Sequence, residues 1–293
     1  MTIKIEMLRS YCTVVRTGNL AEAARRLGRT PSAVSMTLKQ LEDHLGKKLF
    51  ESERKNRLSP LGEQVFELAS KQLRQFDATV QSIETSANSP QGLVRVMSVP
   101  SVAALVFPTA VAELSARHPG LRIDLRDGDT QQVIDALVQG QADIGIVSGQ
   151  HALNGMRELT LFEDPFGLVC TPDHPLAQRT DDPTLHELRE AGFIHNNLCD
   201  LIQTPAFHVT TEGAKVAVHN TLSLISMVQR QNWVTVLPKT VVQVLPGQLT
   251  FRRIQGLADK RQVSLYIREE TRFLSAAEEF SQLTVSALSK ISR

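Results

Sequence analysis

The chain has 293 residues, 42% hydrophobic and 22% charged, with three cysteines and a formal net charge of +1. That length suggests about two domains with ample chain for a buried core, and no apolar run approaches the ~20 residues a membrane span needs. Cys12, Cys170 and Cys199 are scattered and odd in number, so neither a disulfide framework nor a zinc site is supported. With no apolar leader in the sequence as well, a reduced, cytoplasmic protein is expected.

The first predicted helix sets Leu8, Cys12 and Val15 on one face, which makes Cys12 a core residue rather than a redox centre. Residues 19–27 read as a short helix, with Asn19 as cap, Glu22 completing a capping box, and Ala23, Ala24 and Leu27 inward. Gly28-Arg29 makes a turn. Thr30-Pro31 then starts a second helix, Val34, Leu38, Leu41 and Leu45 draw its apolar stripe, and Gly46 stops it. Its other face carries Ser32, Ser35, Met36 and Lys39, small or flexible side chains that let the backbone approach a ligand. Two short helices, a tight turn and a lightly polar outward face describe a helix-turn-helix. A plain helical hairpin in an α-rich protein would share that pattern, so charge has to decide. Residues 1–58 hold twelve basic and six acidic side chains, a surplus of six, and the remainder of the chain therefore sums to −5. A near-neutral total hides a basic head on an acidic body, the footprint of a nucleic-acid module. Residues 49–58 read as a short hairpin, or wing, that brings Arg54, Lys55 and Arg57 near phosphates.

Leu8, Gly18, Asn19, Ala23, Ala24, Leu27, Ser35, Leu41-Glu42, Leu45-Gly46, Leu49-Phe50 and Leu61-Gly62 stand in the order and spacing of the LysR-type transcriptional regulators. The first sixty residues resemble that family's winged helix-turn-helix. Pro31 and Met36 depart from the Gln and Arg found there in many members, so the operator is not carried over from relatives. The expected DNA-facing set is Leu20, Thr30, Pro31, Ser32, Ser35, Met36, Thr37, Lys39, Arg54, Lys55 and Arg57.

Ser59-Pro60 is a further helix start, and Phe66, Ala69, Leu73, Phe76, Val80, Ile83 and Ala87 then alternate spacings of three and four. That is a heptad seam, or else the inner face of a long amphipathic helix packed on its own domain. In the family this segment is the dimerising linker helix, so Phe66, Leu73, Phe76, Val80 and Ile83 are expected to pair copies. Asn88-Ser89-Pro90 and Gly92 end it. Beyond, strands and helices alternate: strands at 94–97, 121–125, 144–147, 166–170, 193–194, 234–237 and 263–267, with helices at 100–117, 131–138, 185–191, 221–229 and 275–289. The order predicts a mostly parallel, helix-covered sheet, with ligands beyond strand ends and against helix starts.

This half resembles the family's effector-binding domain, a periplasmic-binding-protein-like (type II) fold of two subdomains with a cleft between them. The resemblance rests on residues 92–96, 137–144, 173–176 and 235–238; Gln231-Asn232-Trp233 stands where members usually have glycines, and Trp233 either reshapes the cleft wall or fills core. The expected architecture is α/β and multidomain: a DNA-binding domain at residues 1–59, a linker helix at 60–89 and a regulatory domain at 90–293. Subdomain I would take about 90–162 and 266–293, and subdomain II about 163–265. Ser101, Thr130, Ser148, Phe166, His195, Asn197, Asn220 and Thr221 are the candidate effector residues. Hydroxyls and N–H groups at helix starts suit an anion, often a carboxylate, although Ser101, Thr130 and Thr221 would serve equally as helix caps and His195 as a satisfied, partly buried histidine.

No G-x-S-x-G, H-E-x-x-H, Walker loop or dinucleotide fingerprint occurs, so neither an enzyme nor a cofactor is expected. A transport-type binding protein would leave the basic head idle, and an architectural DNA-binding protein would leave the α/β half idle. The resemblance implies a homotetramer, a dimer of dimers on double-stranded promoter DNA, that answers to a small metabolite and meets RNA polymerase if it activates.

Overall fold

The computed structural model describes residues 2–52, 55, 57–88, 92–230, 232–245 and 247–291. Two compact units divide the chain, Met1–Asn88 and Ser89–Arg293. Arg54, Ser89, Pro90 and Gln231, named above, lie outside the described residues.

In the first unit, α1 (Ile5–Thr17) ends at Gly18 in the left-handed conformation, φ 60°. Helix α2 (Leu20–Arg26) starts at Asn19, whose side chain accepts from the N–H groups of Ala21 and Glu22 at 2.8 and 3.2 Å. The expected capping box is replaced: Glu22 bonds Arg25 Nε at 2.9 Å and Arg26 Nε at 2.8 Å, because two guanidinium partners one turn on outcompete a backbone N–H. Helix α3 (Pro31–Leu45) has Thr30 accepting from Ala33 N–H at 3.3 Å and closes on Gly46 at φ 68°. Its stripe of Val34, Leu38 and Leu41 packs with Met7, Tyr11, Val14, Ala23, Ala24, Leu49 and Phe50. An antiparallel bridge between Phe50 and Leu58 forms the wing's base. Helix α4 (Pro60–Asn88) follows, 29 residues long, or roughly 43 Å at 1.5 Å per residue. Near its start the chain passes so close that a Cβ on Gly62 would lie 2.1 Å from the Leu49 carbonyl oxygen, while Tyr11 donates to the Gly62 carbonyl at 2.7 Å. Only glycine fits there.

The second unit is built on one sheet: β1 (Leu93–Ser98), β2 (Arg122–Asp127), β3 (Ile144–Ser148), β4 (Met156–Cys170), β5 (Phe193–His195), β6 (Val216–Ala217), β7 (Val234–Pro238), β8 (Thr250–Arg252) and β9 (Lys260–Arg268). Its order is β2-β1-β3-β9-β4-β7-β5-β6, with β8 beside β4. The helices are α5 (Pro100–Arg117), α6 (Thr130–Val138), α7 (Pro175–Gln178), α8 (Leu185–Glu190), α9 (Pro205–Thr211), α10 (Thr221–Arg230), α11 (Lys239–Gln243) and α12 (Leu274–Ile291), with a 3-10 turn at Asn197–Leu201.

The sheet is mixed rather than mostly parallel. β1 runs parallel to β2 and β3, and β5 to β6 and β7, whereas β9 is antiparallel to β3 and β4, and β4 to β7 and β8. The long crossover strands β4 and β9 cause this. They join the two ends of the sheet, and the outer half of β4 carries exposed polar residues and Pro165, which hid it from pattern reading. On one side of the crossover Val94, Val96, Val102, Val106, Leu114, Ile144, Ile146, Val263, Leu265 and Phe280 form a core; on the other, Leu168, Leu188, Phe193, Cys199, Phe207 and Val236 form another.

Candidate DNA-reading face and ligand cleft

The buried stripe of α3 leaves Thr30, Pro31, Ser32, Ser35, Met36 and Lys39 exposed together, Met36 to 64%. Thr37 is half-buried, its Oγ1 donating to the Ala33 carbonyl at 2.9 Å, and Leu20 packs against the core. Those two support the face rather than form it. In the wing, Lys55 takes a left-handed φ of 56° and folds back, its Nζ 3.7 Å from Glu42 and 5.0 Å from the Phe50 ring centroid. Arg57 stays 80% exposed beside Glu51 at 2.7 Å.

Glu42 organises this corner, which the sequence did not disclose. Its buried carboxylate accepts from Leu49 N–H at 2.9 Å and from Lys48 at 3.2 Å. Burial pushes its pKa up, and the Leu49 N–H with the two lysines outweighs that, so the group stays ionised. It ties α3 to the start of the wing.

On α4, Leu73 and Ala69 are buried in the unit's own core and Phe66 packs against it, under Arg16 at 6.0 Å. Arg9 and Asp77 pair at 2.5 Å at the edge of that packing. Beyond it Val80 is half-buried, and Phe76 and Ile83 are exposed apolar residues, as is Leu68.

In the second unit a cleft of about 720 Å³ opens where the starts of α5, α6 and α10 meet the 3-10 turn. Five expected residues line it: Ser101, Thr130, Asn197, Asn220 and Thr221. Thr130 Oγ1 accepts from Ser148 N–H at 3.2 Å, and Asn220 caps α10 by accepting from Ser223 N–H at 3.1 Å. Three others stand back from it. Ser148 is fully buried beneath, Phe166 belongs to the core of the far half, and His195 sits behind the turn with its Nε2 3.8 Å from Asp200. Trp233 also packs into core.

The residue that pattern reading missed is Arg261. It is 1% exposed, borders the cleft, and reaches both halves of the sheet. Nη1 donates to Ser101 Oγ at 3.1 Å and to Ser148 Oγ at 3.4 Å; Nη2 donates to Asp164 and to Thr240 Oγ1, both at 2.7 Å. Asp164, 2% exposed, lies opposite Arg261 in the β4–β9 register and also bonds Thr240. Burial pulls the Arg261 pKa down, and Asp164 holds the charge in place. Its Nε has no hydrogen-bond partner. A cation at the start of a run reading as a buried strand was the available signal.

Two family models cover most of the chain: "Bacterial regulatory helix-turn-helix protein, lysR family" over residues 5–63 and "LysR substrate binding domain" over residues 87–289. A Streptomyces viridosporus protein described as "Probable hydrogen peroxide-inducible genes activator" is 28% identical over 292 residues, 96% of this chain and 92% of that one. The "HTH-type transcriptional regulator MetR" of Salmonella typhimurium is 28% identical over 251 residues, 84% and 78% of the two chains. Among solved structures, full-length CbnR complexed with its target DNA superposes with a TM-score of 0.68 at 16% identity, covering 97% of this chain and 100% of that one. Full-length OxyR C199D of Pseudomonas aeruginosa gives 0.55 at 20% identity, covering 98% and 95%.

Proposed function

The chain belongs to the LysR family of DNA-binding transcriptional regulators, which are not enzymes, and from that premise we propose that it reads promoter DNA through α3 under the control of a small metabolite in the cleft. Thr30, Pro31, Ser32, Ser35, Met36 and Lys39 supply the reading face, and Arg57 and Arg54 hold flanking phosphates. Lys55 is the weaker candidate, because it is folded back on Glu42. The protein works in the cytoplasm as a homotetramer, and engagement of RNA polymerase follows if it activates. The linker at 60–89 and the two subdomains at 90–162 with 266–293 and at 163–265 are the working divisions.

One observation supports the ligand reading most: three helix starts and a buried guanidinium face one cleft. Such starts carry unsatisfied N–H groups and roughly half a positive charge each, which favours an acceptor such as a carboxylate. Occupancy would change the relative populations of two tetramer geometries and thereby the DNA bend. A thermal-shift screen of the purified chain tests this. A true ligand raises the melting temperature with concentration as mass action requires, about 2.7 kcal/mol at a hundred times Kd, and loses that effect in Ser101→Ala. Silence across a broad metabolite panel contradicts the reading.

Because Leu73 and Phe66 serve the unit's own core, pairing of copies falls to Phe76, Val80 and Ile83. Phe76→Asp is expected to yield monomers by light scattering with the fold intact; an unchanged mass removes that seam as the pairing surface. Peroxide sensing, suggested by relatives' names, finds no support in the thiols. Cys12, Cys170 and Cys199 are all buried, and burial pushes Cys170 up to about 11 and Cys199 up to about 12, leaving almost no thiolate to react.

A further inference from the structure

The charges around the cleft do not match a simple anion. Asp127 borders it from the end of β2 and Asp129 from the cap of α6, and Asp200 borders it from the 3-10 turn in the other half of the sheet. All three are exposed. Asp129 accepts from Gln132 N–H at 2.8 Å and keeps its second oxygen available; Asp200 faces only His195, at 3.8 Å. Among the described residues Asp127 makes no side-chain hydrogen bond or ion pair. Among the described residues Arg261 is the one Lys or Arg in the lining, beside the imidazole of His219, and Asp164 already answers it. A bare carboxylate would therefore enter a space whose fixed side-chain charge is negative.

A metal does not resolve this, since among the described residues no group of three His, Cys, Asp or Glu side chains could hold one. A cation carried on an organic molecule does. At the floor, the unpartnered Nε of the 1%-exposed Arg261 together with the starts of α5 and α6 suits an acceptor oxygen. At the rim, an exposed carboxylate of Asp127, Asp129 or Asp200 suits an ammonium, which needs to meet only one of them.

We propose that the effector is a small zwitterion of the α-amino-acid class, its carboxylate held at the Arg261–Ser101 floor and its ammonium at the Asp127, Asp129 and Asp200 rim. This rests on the cleft being the effector site. It divides the cleft into an oxygen-accepting floor and a cation-accepting rim, so neither half of the ligand alone satisfies it.

Isothermal titration of the full chain against three matched panels tests the proposal: L-amino acids, the same carboxylic acids without the amino group, and the same amines without the carboxylate. The expected result is an amino acid that binds at least tenfold tighter than both of its truncated forms. Asp127→Asn with Asp129→Asn, which keeps a good helix cap at 129, should lower that amino acid's affinity about tenfold and leave its deaminated form unchanged. Equal affinity for the deaminated acids, or binding of the amines alone, overturns the zwitterion while leaving the cleft as the site. No binding from any panel overturns both.

Discussion

Ser35→Glu is expected to weaken binding to specific DNA by two orders of magnitude or more, with folding stability changed by no more than about 0.5 kcal/mol. Ser35 is exposed on α3, so the longer side chain meets no neighbour in the free protein. Docked in a groove it would place a carboxylate among phosphates and base acceptors. Like charges across an interface cost several kcal/mol, and about 2.7 kcal/mol is already a hundredfold in Kd. Fluorescence anisotropy with a labelled operator reads the loss, and an affinity within threefold of the parent removes α3 as the reading element. Arg57→Ala sets the contrast. Arg57 pairs with Glu51 in the free protein, and as a proposed phosphate contact its removal is expected to weaken all duplexes alike and flatten the salt slope by about one.

Arg261→Met is expected to destabilise the second unit by about 3–5 kcal/mol, because it leaves the buried Asp164 side chain without its guanidinium partner and answered only by Thr240. Urea unfolding followed through Trp233, the only tryptophan and part of this unit's core, isolates the effect. Pairing it with Asp164→Leu should recover most of the loss, since two apolar side chains replace a pair whose desolvation cost was high. A single variant within about 1 kcal/mol of the parent would mean that the buried pair does not clamp β4 to β9. The clamp also connects the ligand floor to the crossover. Ser101 and Ser148 come from one half of the sheet and Thr240 from the other, and all three meet on this guanidinium.

What was legible in the sequence was local. Thr30-Pro31 and Gly46 bound α3 because caps act within one turn of chain, and the four-three-four stripe then dictates which residues stay outside. The caps of α6 and α10 fall one residue before the expected Thr130 and Thr221, on Asp129 and Asn220, and Thr130 instead accepts from the distant Ser148 N–H. The rest depended on partners far along the chain. Glu42 looks like a surface glutamate until Leu49 and Lys48 close over it, and Arg261 looks like half of an exposed Lys-Arg pair until β9 meets Asp164. Leu73 shows the limit of periodicity: a heptad seam and an inner helix face have one spacing, and packing alone assigns Leu73 to its own domain. The first half of β4 was lost because its polar side chains face solvent and only its ladder with β9 marks it as a strand.

The proposed function stands or falls on whether this chain reads duplex DNA in a sequence-dependent way as a symmetric assembly. Selection of random duplexes by the purified full-length protein, sequenced over successive rounds, measures that directly. The expected result is enrichment of a paired motif with half-sites on one face of the helix, spaced by about one turn or a multiple of it. A pool that stays unenriched while still binding at low salt would contradict it, leaving only charge attraction between the basic first unit and DNA.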